Sequence, residues 1–182
     1  MILKTIRITE DFPELDRVNA LALEAFPPEE YMAPARMIEM SRNGMLDFFA
    51  LYDGDSFVGF VAIRTYQHIA YLFFLAIEKG FRSRGYGSAT LEMLRNLYPG
   101  YQQVVDFEML DESAENSEQR KRRRLFYLRN GYKPTGRFMS YFGVDYEIFC
   151  SDDDFDFPLF NSMMSSIKVK GFNLRFFEEK DI

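Results

Sequence analysis

The chain has 182 residues, with 22 Lys and Arg against 28 Asp and Glu, one His, one Cys, no Trp, 20 Phe and 11 Tyr. At roughly 100–200 residues per domain this is one core of ordinary size that folds without staples, and a lone cysteine with one histidine leaves no cluster to hold zinc. The net charge of −6 argues against general nucleic-acid binding, because phosphates demand a basic surface, and suits cationic partners better.

Ile2, Ile6 and Ile8 read as a first strand, with Thr9 placed to cap a helix from about Asp11. Phe12, Leu15, Val18, Ala22, Ala25 and Phe26 recur at helical spacing until Pro27-Pro28 ends the pattern. A short helix over Pro34 to Arg42 presents Met37, Ile38 and Met40 and stops at Asn43-Gly44. Phe48 to Tyr52 and Phe57 to Ile63 are strand-like runs around Asp53-Gly54-Asp55, a strong hairpin signal. Ile69 to Ile77 is the longest apolar run; its nine residues fall far short of the ~20 that span a bilayer, and read as a central strand covered on both faces. The first eight residues lack the charged start, apolar centre and cleavage site of a secretory signal, so no membrane partner and a cytoplasmic location are expected.

A helix from about Gly85 to Leu97 turns Ala89, Leu91, Leu94 and Leu97 inward and stops at Pro99-Gly100. Val104 to Leu110 reads as a strand, Ser117 to Asn130 as a helix ended by Gly131, and Arg137 to Phe142 with Asp145 to Cys150 as a hairpin. In the tail, Asp156 and Pro158 are helix-start signals, Phe157, Phe160, Met163, Met164 and Ile167 form an apolar stripe, and Phe172 to Phe177 reads as a last strand. His68 reads as an ordinary strand residue, and Cys150, in an apolar strand, as inert.

Arg82-Ser83-Arg84-Gly85-Tyr86-Gly87-Ser88 lies between the apolar strand and a helix. Glycines let a phosphate approach the backbone, first-turn N–H groups are unpaired donors, and the helix dipole is positive there. The segment is neither a Walker loop nor a dinucleotide fingerprint, which would need Gly-Lys-Ser/Thr or a third glycine. Arg120 to Arg124 reads either as a contact for an acidic group or as a solvated helix face answered by Glu112, Glu115 and Glu118.

Arg82-x-x-Gly85-x-Gly87 resembles the acetyl-CoA loop of the GNAT acyltransferase superfamily, and Phe126-Tyr127-Leu128-Arg129-Asn130-Gly131-Tyr132 resembles a second landmark of that family, Phe/Leu-Tyr-x-x-x-Gly-Phe. The likeness covers about Ile2 to Cys150. It implies an α/β fold with a mixed central sheet and helices on both faces, a GNAT domain over 1–150, and a C-terminal helix and strand extension over 151–182 packed on it. It further implies an N-acetyltransferase that takes acetyl-CoA as cosubstrate, uses no metal, and acetylates a primary amine by direct attack; the acidic net charge favours a cationic small molecule over a protein as acceptor.

By the same resemblance, the backbone of Leu75, Ala76 and Ile77 pairs with the pantetheine arm, Arg82 to Ser88 hold the pyrophosphate, and Tyr127 is the general acid for the departing thiolate. Glu108 is expected to act as base through a water, with Glu78 in reserve. Family members carry an Asn seven positions before the tyrosine; here that position is Arg120, and Asn116, eleven before, is taken as the cofactor contact. The alternative is a non-catalytic acyl-CoA sensor of the same fold. The Phe-rich tail either caps the core or forms the seam of a homodimer.

Overall fold

The structure is a computed structural model and describes residues 2–28, 30–167 and 172–178. The described residues form eight strands and five helices, in line with the α/β class expected. They divide into two compact units, Met1–Tyr101 and Gln102–Ile182.

The first unit opens with β1 (Lys4–Arg7), α1 (Leu15–Ala25) and α2 (Pro34–Arg42), continues with β2 (Asp47–Asp53), β3 (Ser56–Tyr66) and β4 (Ile69–Ile77), and ends with α3 (Tyr86–Leu97). Its strands pair antiparallel in chain order. Ile2 and Ile6 do not join the core: Ile2 is 93% exposed, and it is Leu3 and Ile8 that are buried. The first helix starts at Leu15 rather than near Asp11, because Pro13 disfavours helical backbone at Phe12. Thr9 serves that turn through its carbonyl, which accepts from the N–H of Phe12 at 3.1 Å.

Val18, Leu21 and Ala22 of α1 and Met37, Ile38 and Met40 of α2 bury an apolar stripe in a cluster with Phe48, Phe57, Phe60 and Phe74. Burial of each large side chain there contributes about 1.5–3 kcal/mol. Leu97 is exposed, at the last position of α3, while Leu91 and Leu94 are buried as expected.

Two irregularities shape the end of β4. Phe73 is an extra residue opposite β3, a bulge after which the strand is no longer buried on both faces: Phe74 and Ala76 stay buried while Leu75 and Ile77 are half-buried. Gly59 stands opposite Ile77 with its Cα so close to β4 that a Cβ would lie 2.1 Å from the carbonyl oxygen of Ala76, an approach only glycine allows.

The second unit contains β5 (Gln102–Glu108), α4 (Ser117–Arg129), β6 (Lys133–Tyr141), β7 (Val144–Cys150), α5 (Phe157–Ser165) and β8 (Arg175–Glu178). β7 pairs antiparallel with β5 and β6, and β8 adds to the other edge of β6. Asp156 caps α5 by accepting from the N–H of Leu159 at 3.0 Å, and Phe160, Met163 and Met164 are fully buried. Residues 168–171 and 179–182 of the expected extension lie outside the described residues. His68 sits in the two-residue turn between β3 and β4, not in a strand. Among the described residues no helix is long and apolar enough to cross a membrane, and no group of three His, Cys, Asp or Glu could hold a metal ion.

Candidate functional site

β4 runs out at Ile77, and a single 3-10 turn, Lys79–Phe81, carries the chain to Arg82. Backbone φ is then positive at Ser83 (60°), negative at Arg84 and positive again at Gly85 (88°), after which α3 begins at Tyr86. Alternating φ signs turn successive N–H groups toward one point, and the first turn of α3 adds donors and the positive end of its dipole. Gly85 faces open space, so its lack of a side chain is required by the left-handed backbone rather than by crowding. No side chain caps α3. The arrangement fits an anion of phosphate chemistry.

The side chains of this loop divide. Arg84 is exposed and makes no ion pair among the described residues. Arg82 Nε donates to the carbonyl of Ile77 at 2.8 Å, and its Nη2 lies 2.9 Å from Oε1 of Glu24 at the end of α1. Tyr86 turns away from solvent: its ring meets Phe81 edge-on at 5.4 Å and its hydroxyl donates to Asp53 at 2.7 Å, a bond that raises its pKa. Only the backbone of Tyr86 is therefore available to a ligand, and its ring ties the start of α3 to the β2–β3 hairpin.

Glu78, at the mouth of the loop, is held by its backbone N–H to Val58 at 2.9 Å and by both carboxylate oxygens to Arg17, at 3.1 and 2.7 Å. Arg17 also pairs with Glu14, whose other oxygen accepts from the Tyr52 hydroxyl at 2.6 Å, and packs over the Phe57 ring at 4.8 Å. The Tyr52 bond, ahead of Arg17, holds the Glu14 pKa below its usual value, while burial and Glu14 push Tyr52 up to about 12.

In the second unit Tyr127 is buried on α4. Its ring stacks on Phe107 of β5 at 5.2 Å and meets Tyr132 at 5.6 Å. Burial pushes its pKa up to about 12, with Arg123 pulling the other way and Asp106 adding to the rise.

Glu108 of β5 lies within a closed polar network: Asn116 Nδ2 donates to both its oxygens at 3.1 Å, Arg120 Nη2 lies at 3.0 Å and Arg123 Nη1 at 3.2 Å. Asn116 Oδ1 accepts from Arg120 Nε at 2.8 Å, and Arg120 Nη1 donates to the carbonyl of Met109 at 2.8 Å. Arg124 reaches Glu147 of β7 at 2.9 Å and lies over the Phe149 ring.

The basic run is thus not answered by Glu112 and Glu115. Its inner members turn to carboxylates on β5 and β7, and only Lys121 pairs with Glu118, at 3.3 Å. Sequence spacing missed Glu24, Arg17 and Glu147, because each meets its partner across the fold. A signal existed for one of them: a Glu inside the apolar strand Tyr146 to Cys150 demands a cation.

Residues 45–134 match the family model described as the acetyltransferase (GNAT) domain. No curated protein matches the chain in sequence. Among solved structures, a GNAT-family acetyltransferase from Bacteroides thetaiotaomicron superposes with a TM-score of 0.71 at 23% identity, covering 89% of this chain and 94% of that one. An aminoglycoside 6'-N-acetyltransferase complexed with coenzyme A gives 0.63 at 20% identity, with 82% and 96% covered. The PaiA N-acetyltransferase of Thermoplasma acidophilum, in complex with coenzyme A, gives 0.55 at 14%, with 81% and 98% covered. These likenesses show the fold.

Proposed function

The chain belongs, through residues 45–134, to the GNAT family of acetyltransferases, and from that premise we propose that it moves an acetyl group from acetyl-CoA to a primary amine of a small cationic molecule by direct attack, both substrates being bound together. The observation that carries this reading is the loop, with left-handed backbone at Ser83 and Gly85 immediately before α3 and the Arg84 guanidinium beside it. Arg82 and Arg84 supply charge to the pyrophosphate, and the backbone N–H groups of Ser83, Gly85, Tyr86, Gly87 and Ser88 supply donors. The backbone of Leu75, Ala76 and Ile77 takes the pantetheine amides as a sheet takes an added strand. When bound, acetyl-CoA supplies an acyl group activated as a thioester. The net charge of −6 favours a cationic acceptor.

Tyr127 is the proton-bearing group of the reading. A phenol with its pKa near 12 keeps its proton at neutral pH, whereas a thiol titrates near 8.5, so Tyr127 steadies the departing sulfur by donating a hydrogen bond more readily than by surrendering the proton. Glu108 and Asn116 take a different part from the one implied by the resemblance. To act as base, Glu108 would have to release Arg120, Arg123 or Asn116, and the Asn116 amide already serves Glu108 and Arg120. Glu78 is likewise held by Arg17. The reading assigns Glu108 and Asn116 to holding α4 on β5, and takes the amine in its neutral form without a protein base, the proton it sheds after attack passing to the departing thiolate directly or through water.

Thermal shift with acetyl-CoA, CoA, ATP and NAD, followed by thiol release over a panel of amines, tests the reading. Stabilisation by the two CoA forms alone, with release for at least one amine, is expected; no stabilisation by CoA overturns it. Tyr127→Phe should lower turnover about 10²-fold with CoA affinity nearly kept. The paired state of both expected bases favours a second reading, a non-catalytic acyl-CoA sensor, which would bind CoA and release thiol with no amine.

A further inference from the structure

The two arginines of the loop have unequal surroundings. Arg84 reaches solvent without an ion pair among the described residues, whereas Arg82 is held at the carbonyl of Ile77 and at the carboxylate of Glu24. Glu24 is the next-to-last residue of α1, where the helix dipole is already negative, so carboxylate and helix end act on the guanidinium in the same sense. Both partners are roughly half exposed, at 43% and 49%, which leaves the pair open to exchange with a stronger anion.

We infer that Glu24 is an internal competitor for the anion site: its carboxylate and a phosphate at the loop draw on the same Arg82 guanidinium, so Glu24 holds cofactor affinity below what two uncommitted arginines would give. The inference rests on the reading of residues 82–88 as the pyrophosphate loop. Its use follows from the chemistry. The donor and the CoA left after transfer carry the same pyrophosphate, so affinity at the loop acts on both alike and does nothing for the transfer step. A competitor placed there shortens the stay of the spent thiol without weakening any interaction made to the acetyl group, which matters where product release limits turnover.

Calorimetric titration of CoA into the full chain at low salt, for the wild type, Glu24→Gln, Arg82→Gln and the double variant, tests it. Glu24→Gln should bind CoA two- to fivefold more tightly, equivalent to about 0.4–1 kcal/mol, and the gain should vanish in the Arg82→Gln background. If Arg82→Gln weakens binding while Glu24→Gln leaves it unchanged or weakens it too, Glu24 orients Arg82 instead and the inference falls. A gain that persists without Arg82 is a general charge effect and overturns it as well. If Arg82→Gln binds CoA like the wild type, the loop reading fails together with the inference.

Discussion

α1 and α4 are similar in length, 11 and 13 residues, and are held to their strands by opposite physics. α1 is held mainly by burying Val18, Leu21 and Ala22 in an apolar cluster, a non-directional attachment to which its half-exposed pairs, Arg17 with Glu78 and Glu24 with Arg82, add little. α4 buries one residue, Tyr127, and around it sends Arg120, Arg123 and Arg124 to Glu108 and Glu147. Ion pairs of this kind are directional, so they set the rotation of a helix about its axis, and with it the aim of Tyr127, more narrowly than a greasy stripe does. Their cost is desolvation, so removing one partner does more harm than the pair does good.

The largest effect should come from leaving a charge unanswered. Glu147 is 7% exposed, and Arg124→Met would strand its carboxylate, lowering stability by about 3 kcal/mol in chemical denaturation. Replacing both partners, Arg124→Met with Glu147→Leu, should recover most of that loss. If the double variant is no better than the single, α4 is not held in the way described. On the other side of the comparison, Leu21→Ala removes part of the apolar stripe of α1 and should cost about 2–3 kcal/mol, the same at 0.1 and 1 M salt.

Glu108→Gln sharpens the contrast through kinetics. It keeps an acceptor for Asn116 but loses the charge facing two guanidinium groups, so stability should drop by about 1–2 kcal/mol. If Glu108 holds α4 rather than abstracting a proton, the rise of kcat/KM with pH should follow the amine's own titration in both proteins; loss of that rise in the variant would make Glu108 the base. The smallest effect is on the α1 side. The Glu14 pKa is lowered in the folded protein, so its contribution is present above the ordinary carboxylate range and is lost as pH falls through the folded value. Acid unfolding of Glu14→Gln should therefore show a pH dependence flatter by a few tenths of a kcal/mol below about pH 4.

The same contrast explains what could be read from the sequence. α2 and β4 were legible to the residue, because Pro34 and Asn43-Gly44 bound one and an unbroken apolar run defines the other. The glycine loop between β4 and α3 was legible as a loop because glycine spacing between strand and helix is itself the feature. α4 could be placed by Gly131, yet its attachment could not be read, since a run of arginines looks the same whether it faces water or a buried carboxylate on a distant strand. The start of α1 was misjudged where Pro13 outweighs the apolar spacing. The network around Glu108 was invisible for a related reason: Glu108 stands only eight residues before Asn116, but nothing in the intervening loop shows that it turns the end of β5 and the start of α4 toward each other.

Cys150 is the protein's one sulfhydryl, wholly buried at the end of β7, with burial raising its pKa to about 11. A disulfide reagent that captures free thiols in neutral solution meets almost no reactive sulfur on the folded chain, so the colour it develops belongs to whatever small thiol the protein releases. Withheld from substrate and given time, the same reagent reports how often β7 comes apart, which makes one atom of the chain a native clock for opening of the second unit.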